Sequence, residues 1–442
     1  MQELKVKNLV ICSTLNQITN YLVIEKCIPE RIFNITFDDE AKKILNKNIK
    51  IKDWDDQLLS ACKHLGYKKF TNIEIGIEDI YATKDVLDKI NDIVSEIKEP
   101  IYWHITGGQR TIALAISQLQ SYENRKNDKL LYVEGNTEKL VLSNINGSFQ
   151  DCNISYGNPN LSIKKVFNLA GFKTREPKST IIFKEKGKTN DTNQFKKEHE
   201  FYKELYSLMC PQNLQSIGGI TSIDIMKFRN SLLESNIINN SGKSPNCKND
   251  SKERTEYVRG HFEILLKKYK SLSDIDYDIL NSDEIRGAYP AGYIFEKITA
   301  HKIYDVIKNN NKIVEMQSSI KTYFDDENKY KMNGKSSIID ELDIVLLTDT
   351  GKLINFECKS GSMDGNNGKS HNYTTYRLAG VFGMPILLSP LYRKEKITEN
   401  SCTSKDYENQ IKSLRAAENA ELDVWGIDEI EEELNKLLSV TI

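Results

Sequence analysis

No apolar run in this 442-residue chain approaches membrane-spanning length, and its start lacks the basic-then-apolar pattern of an export signal. The expectation is a cytoplasmic protein with no membrane partner. Paired cysteines are missing too. Eight are scattered singly, at Cys12, Cys27, Cys62, Cys152, Cys210, Cys247, Cys358 and Cys402, with no C-x-x-C and no His–Cys cluster. That spacing speaks against a disulfide framework and against zinc, and it suits a reducing compartment. An excess of one charge is absent as well: 61 basic residues stand against 63 acidic ones, a net charge of −2. Nucleic acid would therefore be met by local patches and not by a bulk field. No repeat of 20–50 residues is visible. No G-x-x-x-x-G-K-[ST] loop is present, so nucleoside triphosphate hydrolysis is not indicated.

What remains is a globular composition, 39% apolar and 28% charged, with a negative mean hydropathy. Its length allows two or three domains with ample cores. The amino-terminal part alternates strands and helices. Leu9–Cys12 reads as a strand and Gln17–Cys27 as a helix; Ile101–Ile105 reads as a strand, Thr111–Leu119 as a helix and Leu130–Val133 as a strand. Such alternation predicts a mostly parallel sheet covered on both faces. Two polar stretches, Glu185–Glu200 and Asn239–Arg254, read as surface loops. Around them lie helical segments at Phe201–Met209, Ser222–Ser235 and Tyr257–Tyr269, which suggest a mainly helical connector over 156–280. From about Asn281 the pattern becomes helix, strand, hairpin, helix, strand, a compact α/β unit over 281–442.

Two places carry chemistry. From Glu341 to Ser360 the sequence reads as a β-hairpin whose turn is Asp349-Thr350-Gly351. With Thr350 at the tip, Asp343 falls opposite Glu357, and Lys359 follows on the same face because side chains repeat every second residue. Facing carboxylates repel unless something positive sits between them, which a divalent cation with oxygen ligands does. A solvated, merely charged hairpin face is the plainer alternative. The flanking Ile338, Ile339, Val345, Leu346 and Leu347 favour a strand buried on both sides, where a lone carboxylate is costly. The second place is Thr106-Gly107-Gly108-Gln109-Arg110-Thr111, between a strand and a helix. Glycines permit close backbone approach, free N–H groups of a first helical turn favour an anion, and Arg110 adds charge. Ser13 and Thr14 end another strand, on the side where open α/β sheets take ligands. A tight turn without a ligand is the other reading of Gly-Gly.

The run Ile105–Ala115 after an apolar strand resembles the ligand-binding signature of CARF domains, Rossmann-like sensors of cyclic oligoadenylate in type III CRISPR defence. Asp343…Glu357-Cys358-Lys359 is similar to the core of PD-(D/E)XK restriction-type nucleases, with Leu342-Asp343 in place of the usual Pro-Asp. In this order the two motifs resemble the Card1/Can2 family of CRISPR ancillary nucleases. The resemblance implies an α/β protein with an N-terminal Rossmann-like CARF domain (1–155), a helical connector (156–280) and a C-terminal restriction-endonuclease-like domain (281–442). It implies a homodimer activated by cyclic oligoadenylate, cA4 ahead of cA6, held by Ser13, Thr14, Thr106, Gly107, Gly108, Gln109, Arg110 and Thr111. It implies Mg²⁺ or Mn²⁺ at Asp343, Glu357 and the Cys358 carbonyl, Lys359 orienting the attacking water, and Glu296 as the acid on a preceding helix. Single-stranded DNA or RNA would be the substrate, with nicking of supercoiled DNA as a further activity. Arg377 is a candidate phosphate contact. Arg254 and His261 also satisfy the R-x₄₋₆-H spacing of HEPN ribonucleases, a metal-independent alternative. A winged helix around Ser222–Ser235, with Met226–Arg229 as its basic stretch, would instead make a non-catalytic regulator.

Overall fold

The computed structural model describes residues 4–49, 54–66, 70–143, 149–175, 183–184, 188–189, 193–209, 290–324, 331–332, 335–336, 339–359, 365–390 and 414–439. The first sheet begins with β1 (Asn8–Cys12), every residue of which is buried. It is followed by α1 (Ile18–Cys27), β2 (Arg31–Phe37), α2 (Asp39–Ile49), α3 (Trp54–Ala61), β3 (Thr71–Ile75), α4 (Thr83–Val94), β4 (Ile101–His104), α5 (Arg110–Leu119) and β5 (Lys129–Glu134). Strands β6 (Lys139–Ser143) and β7 (Phe149–Ser155) complete the seven-stranded order β3-β2-β1-β4-β5-β6-β7. The first five strands in that order are parallel and the last two join antiparallel. A parallel sheet buried on both faces demands continuous apolar strands, and Leu9-Val10-Ile11-Cys12 is one.

One face is covered by α4 and α5, whose Val86, Ile90, Ile112 and Ile116 pack on Val10, Ile35 and Trp103. The other face meets α1, α3 and α6 (Ile163–Leu169). Strand β1 lies between β2 and β4, so chain order reverses there. The loops after β1 and β4 flank that switch point.

The second sheet has the order β17-β16-β15-β14-β11-β8. Its first strand is β8 (Phe172–Arg175), followed by the short β9 (Phe183–Lys184) and β10 (Lys188–Thr189), then α7 (Asn193–Met209) and α8 (Pro290–Ile307). Next come β11 (Ile313–Phe324), the short β12 (Lys331–Met332) and β13 (Lys335–Ser336), β14 (Asp340–Thr348) and β15 (Leu353–Cys358). Helix α9 (Gly365–Ala379), β16 (Gly383–Ser389), β17 (Asp423–Gly426) and α10 (Ile430–Ser439) finish the unit. The β11-β14-β15 run is antiparallel, and β16 and β17 add in parallel. Helices α7, α8 and α10 bury one face through Phe201, Ile298, Ile303 and Leu434.

The stretch expected to be a mainly helical connector also feeds this sheet. Strand β8 pairs with β11, Thr174 opposite Thr322, and α7 packs beside α8. An open edge on β11 would expose unpaired backbone, and β8 covers it. The helices expected at Ser222–Ser235 and Tyr257–Tyr269, and the residues Met226–Arg229, Arg254 and His261, lie outside the described residues.

The two sheets share one core. Ile18, Leu22 and Phe167 on the α1/α6 layer pack in the same cluster as Val345, Leu347, Leu353 and Leu378. No helix among the described residues is long and apolar enough to cross a membrane.

Candidate functional site

The hairpin has the register that its turn implies: Leu347 pairs with Leu353, Val345 with Asn355 and Ile344 with Phe356. One step further along that ladder sets Asp343 opposite Glu357. Asp343 Oδ2 accepts a hydrogen bond from the Cys358 N–H at 2.7 Å. Lys359 Nζ is 2.5 Å from Glu357 Oε1. On the neighbouring strand, Ser318 pairs with Ile344 and Ile320 with Leu342, which leaves Ser319 between them opposite Asp343. Ser319 has a left-handed backbone (φ 53°), and its Oγ donates to Glu296 Oε1 at 2.5 Å. A kink in β11 thus ties the α8 glutamate to the hairpin's open end. Sequence reading did not single out Ser319, because nothing local marks a serine as the irregular residue of a strand.

Nor does the local sequence mark His371, on α9. Its Nδ1 is 3.6 Å from Glu357 Oε2, while Nε2 is 3.1 Å from the Asn355 carbonyl. A carbonyl only accepts, so Nε2 carries the proton and Nδ1 faces the carboxylate. The residue is buried, and burial lowers its pKa against the opposing pull of Glu357. Arg377, further along α9, sets its guanidinium 5.6 Å from the Phe172 ring and 5.8 Å from the Tyr373 ring.

Electrostatics at this end of the hairpin are unfavourable to the carboxylates. Burial, then the charges of Glu357 and Glu296, push Asp343 well above the usual carboxylate range, against the Cys358 N–H and Lys359. Burial raises Glu296 to about 7, opposed by Ser319 and Lys297 and helped by Glu341 and Glu357. Burial alone would lower Lys359, but the charge and hydrogen bond of Glu357 hold it above the ordinary lysine value. The Cys358 thiol points away, 3.4 Å from Thr299 Oγ1, and burial keeps it protonated. Among the described residues, no group of three or more His, Cys, Asp and Glu stands arranged around a metal position. The donor set nonetheless suits a hard cation: oxygen ligands that raise one another's pKa values, with their mutual repulsion only partly offset by Lys359 and Lys297.

The first sheet has its own constellation at the switch point. A Cβ on Gly107 would lie 2.5 Å from Thr14 Cγ2, and one on Gly108 (φ +93°) 2.5 Å from Cys12 Cβ. The glycines therefore let the loop after β4 rest directly on the loop after β1, which neither alanine nor anything larger would allow. Arg110 is exposed at the start of α5, and Gln109, at its N-cap, makes no side-chain cap bond, so the first-turn N–H groups keep their anion preference.

Other expected contacts turn inward. Thr106 Oγ1 accepts from the Val133 N–H at 2.7 Å, and Thr14 Oγ1 donates to the Asn16 carbonyl at 2.7 Å. Ser13 Oγ donates to Asp55 Oδ1 at 2.5 Å. Asp55 also accepts from Thr36 and Gln17, and Lys42 Nζ is 3.1 Å away. Behind them Asn20 donates to the Cys12 carbonyl at 2.7 Å and meets His104 Nδ1 through its Oδ1 at 2.9 Å. Burial pushes His104 down to about 3, so it is neutral and holds β4 to α1 as a plain hydrogen-bond donor. Asp55 and Asn20 escaped the sequence reading because their partners are distant in the chain.

Fold and sites together describe a two-unit α/β protein, a seven-stranded Rossmann-like sheet joined to a six-stranded mixed sheet. No family model and no curated protein matches the sequence. Solved structures do match it. Protein VC1899 from Vibrio cholerae superposes with a TM-score of 0.64 at 14% identity, over 98% of both chains. Can2 from Sulfobacillus thermosulfidooxidans, solved in complex with cyclic tetra-adenylate, superposes with a TM-score of 0.56 at 14% identity, over 98% of this chain and 97% of that one. At that identity the likeness is one of fold, and it spans the architecture that the sequence motifs implied.

Proposed function

We propose that the protein is a cyclic-oligoadenylate-activated, divalent-metal-dependent endonuclease of type III CRISPR defence, acting as a cytoplasmic homodimer on single-stranded DNA or RNA. The observation that carries this reading is the gathering of Asp343, Glu357, Lys359 and Glu296 at one end of a buried hairpin. The same chain carries a glycine-apposed loop pair at a switch point. The cyclic tetra-adenylate in the Can2 structure supports assigning the loop pair to such a ligand.

Asp343 and Glu357 would hold Mg²⁺ or Mn²⁺, which supplies Lewis-acid polarisation of a phosphate oxygen and a more acidic water. Lys359, positioned by Glu357, orients the attacking water. Glu296, raised by burial to about 7, can hold or release a proton near neutrality and is itself positioned by Ser319. A ring with repeated phosphates suits a pocket made of two identical loop pairs across a two-fold axis. Activation requires the ligand to prefer the dimer state in which the nuclease units accept a strand.

The deciding experiment incubates the full chain with cA4 or cA6, labelled single-stranded RNA and DNA, and Mg²⁺ or Mn²⁺. Cleavage should need both ring and cation and stop with EDTA. Cleavage that survives EDTA would overturn the metal-dependent assignment, and no cleavage under any combination would overturn the nuclease.

A further inference from the structure

The two ends of α6 are bonded to different units. At its carboxyl end, the Gln17 N–H of the loop after β1 donates to the Leu169 carbonyl at 3.3 Å. Gln17 Nε2 lies 3.3 Å from both Ser13 Oγ and Asp55 Oδ1, so this end of α6 is tied to the residues that lead out of β1. At its amino end, the Ile163 N–H donates to Glu315 Oε2 of β11 at 2.6 Å. Glu315 is 1% exposed, and its Oε1 accepts from Gln317 Nε2 at 2.7 Å. A buried carboxylate is costly, and these charge-assisted bonds offset part of that cost. Ile163, Val166, Phe167 and Leu169 are all buried, so α6, about 10 Å long, is braced to move as one body.

Strand β8 follows α6 and grips β11 a second time, with Thr174 opposite Thr322 and Phe172 opposite Phe324. The α6–β8 segment therefore holds β11 at Glu315 and again from Lys321 to Phe324, on either side of Ser319. Between the two holds, Ser319 has φ 53°, a conformation that an ordinary residue keeps only where its surroundings impose it. The register with β14 shifts between Ile313 and Glu315, and that irregularity gives the strand a place to adjust. Four residues, about 13 Å of strand, separate Glu315 from Ser319. Ser319 in turn donates to Glu296 of α8.

We propose that Glu315 is a positioning residue for strand cleavage: α6 passes the state of the loop after β1 to Glu315, and β11 passes it to Ser319, which sets Glu296. A ring that draws on Ser13 pulls on Gln17 and so on α6, and the pull re-aims Ser319 between its two holds. The activator half of this inference rests on the function proposed above. The link from Glu315 to Ser319 depends on no ligand.

Hydrogen exchange of the full chain, followed by mass spectrometry, tests the two halves separately. Glu315→Met keeps the length of the side chain and deletes both of its bonds. Glu315→Gln keeps an acceptor for the Ile163 N–H. Without any ligand, exchange over Ser318–Ile320 should rise about fivefold or more in Glu315→Met and return close to the wild type in Glu315→Gln. A role in packing alone would be met by methionine as well as by glutamine. Gln317→Leu, at a half-buried position, removes one bond and should shift the same segment in the same direction by less, which covers a Glu315→Met chain that fails to fold. Unchanged exchange over Ser318–Ile320 in these variants would overturn the link. With cA4 bound, exchange over Ser318–Ile320 should change in the wild type and not in Glu315→Met, while the loop after β1 responds in both. Single-turnover cleavage by Glu315→Met should fall about tenfold at unchanged ring affinity, with Glu315→Gln restoring it. A Glu315→Met chain that responds and cleaves like the wild type would refute the relay. A wild type in which no ring alters exchange at the loops after β1 and β4 would instead overturn the activator reading, and the ligand-free comparison then decides the Glu315–Ser319 link by itself.

Discussion

Glu357 is fixed by the Lys359 ammonium 2.5 Å from its Oε1, and a carboxylate so held is pre-aimed for chemistry. Glu357→Gln should abolish cyclic-oligoadenylate-stimulated cleavage, and Lys359→Ala should slow it on the order of 10²-fold. Single-turnover assays on labelled strands measure both, and undiminished cleavage in either would remove that side chain from the reaction. Residues of the loops after β1 and β4 make a different prediction. Gly108 combines φ +93° with a Cβ position 2.5 Å from Cys12 Cβ. Gly108→Ala should therefore cost about 1–3 kcal/mol of stability in addition to weakening activation. Urea unfolding of the purified variant reads that cost. At this scale the sequence was legible wherever residues were near each other in the chain: the Asp343/Glu357/Lys359 set followed from strand alternation and one turn. Ser319, His371 and Asp55 were not legible, because each acquires its role from a partner on another element.

Among the elements, the packing of α7 on α8 carries a pH signature. His199 Nδ1 and His301 Nδ1 lie 3.3 Å apart, with Glu198 Oε1 3.8 Å from His301 Nε2 and 3.2 Å from Lys297 Nζ. Burial pushes His301 down from 6.5 to about 4. A folded value below the unfolded one means that the folded state binds fewer protons in between. Stability is complete above pH 6.5 and drains as the pH falls toward 4. Burial opposes ionisation of Glu198, but the neighbouring His301 ring and the Lys297 ammonium bring it to about 2, so its contribution is lost lower still, between pH 4.5 and 2. Both signs agree. Between pH 7.5 and 5 the loss through His301 should be about 2 kcal/mol. Hydrogen exchange in α7, followed against pH, checks this, and protection in α7 that does not change between those values would refute it. The parallel strands β1, β4 and β5 were readable as elements because buried strands are continuous apolar runs. Strand β8 was not: four residues of ordinary composition become a strand only because β11 has an edge to cover.

For the whole molecule, the decisive feature is that the helices of the first sheet and the hairpin meet. The turn after β14 sits on α1, where a Cβ on Gly351 (φ +85°) would come 3.0 Å from Ile18 Cγ1. Asn158 N–H donates to the Asp349 carbonyl at 2.8 Å. Buried Glu138 accepts from Thr350 at 3.1 Å and lies 3.3 Å from both Lys312 and Lys352. Glu138→Ala would remove the carboxylate that Thr350, Lys312 and Lys352 share at the seam. Its expected outcome is a lower unfolding midpoint and a higher activator concentration for half-maximal cleavage, with activator affinity unchanged. Calorimetry and a cleavage titration measure the pair, and a variant with normal stability and normal activation would show that the seam transmits nothing. Arg110→Glu acts at the other end: activator binding should fall while the melting profile stays intact, as a filter-binding assay and a thermal scan would show.

Local rules settled the alternation of strands and helices, the hairpin register and the juxtaposition of two carboxylates with a lysine, since each depends on residues that neighbour one another along the chain. Tertiary structure alone decided which sheet 172–175 would join, and that a kinked serine would bring Glu296 to the hairpin. Those outcomes arise from burial and pairing between separate elements, β8 and β11 being more than a hundred residues apart, where no period or motif in the sequence can reach.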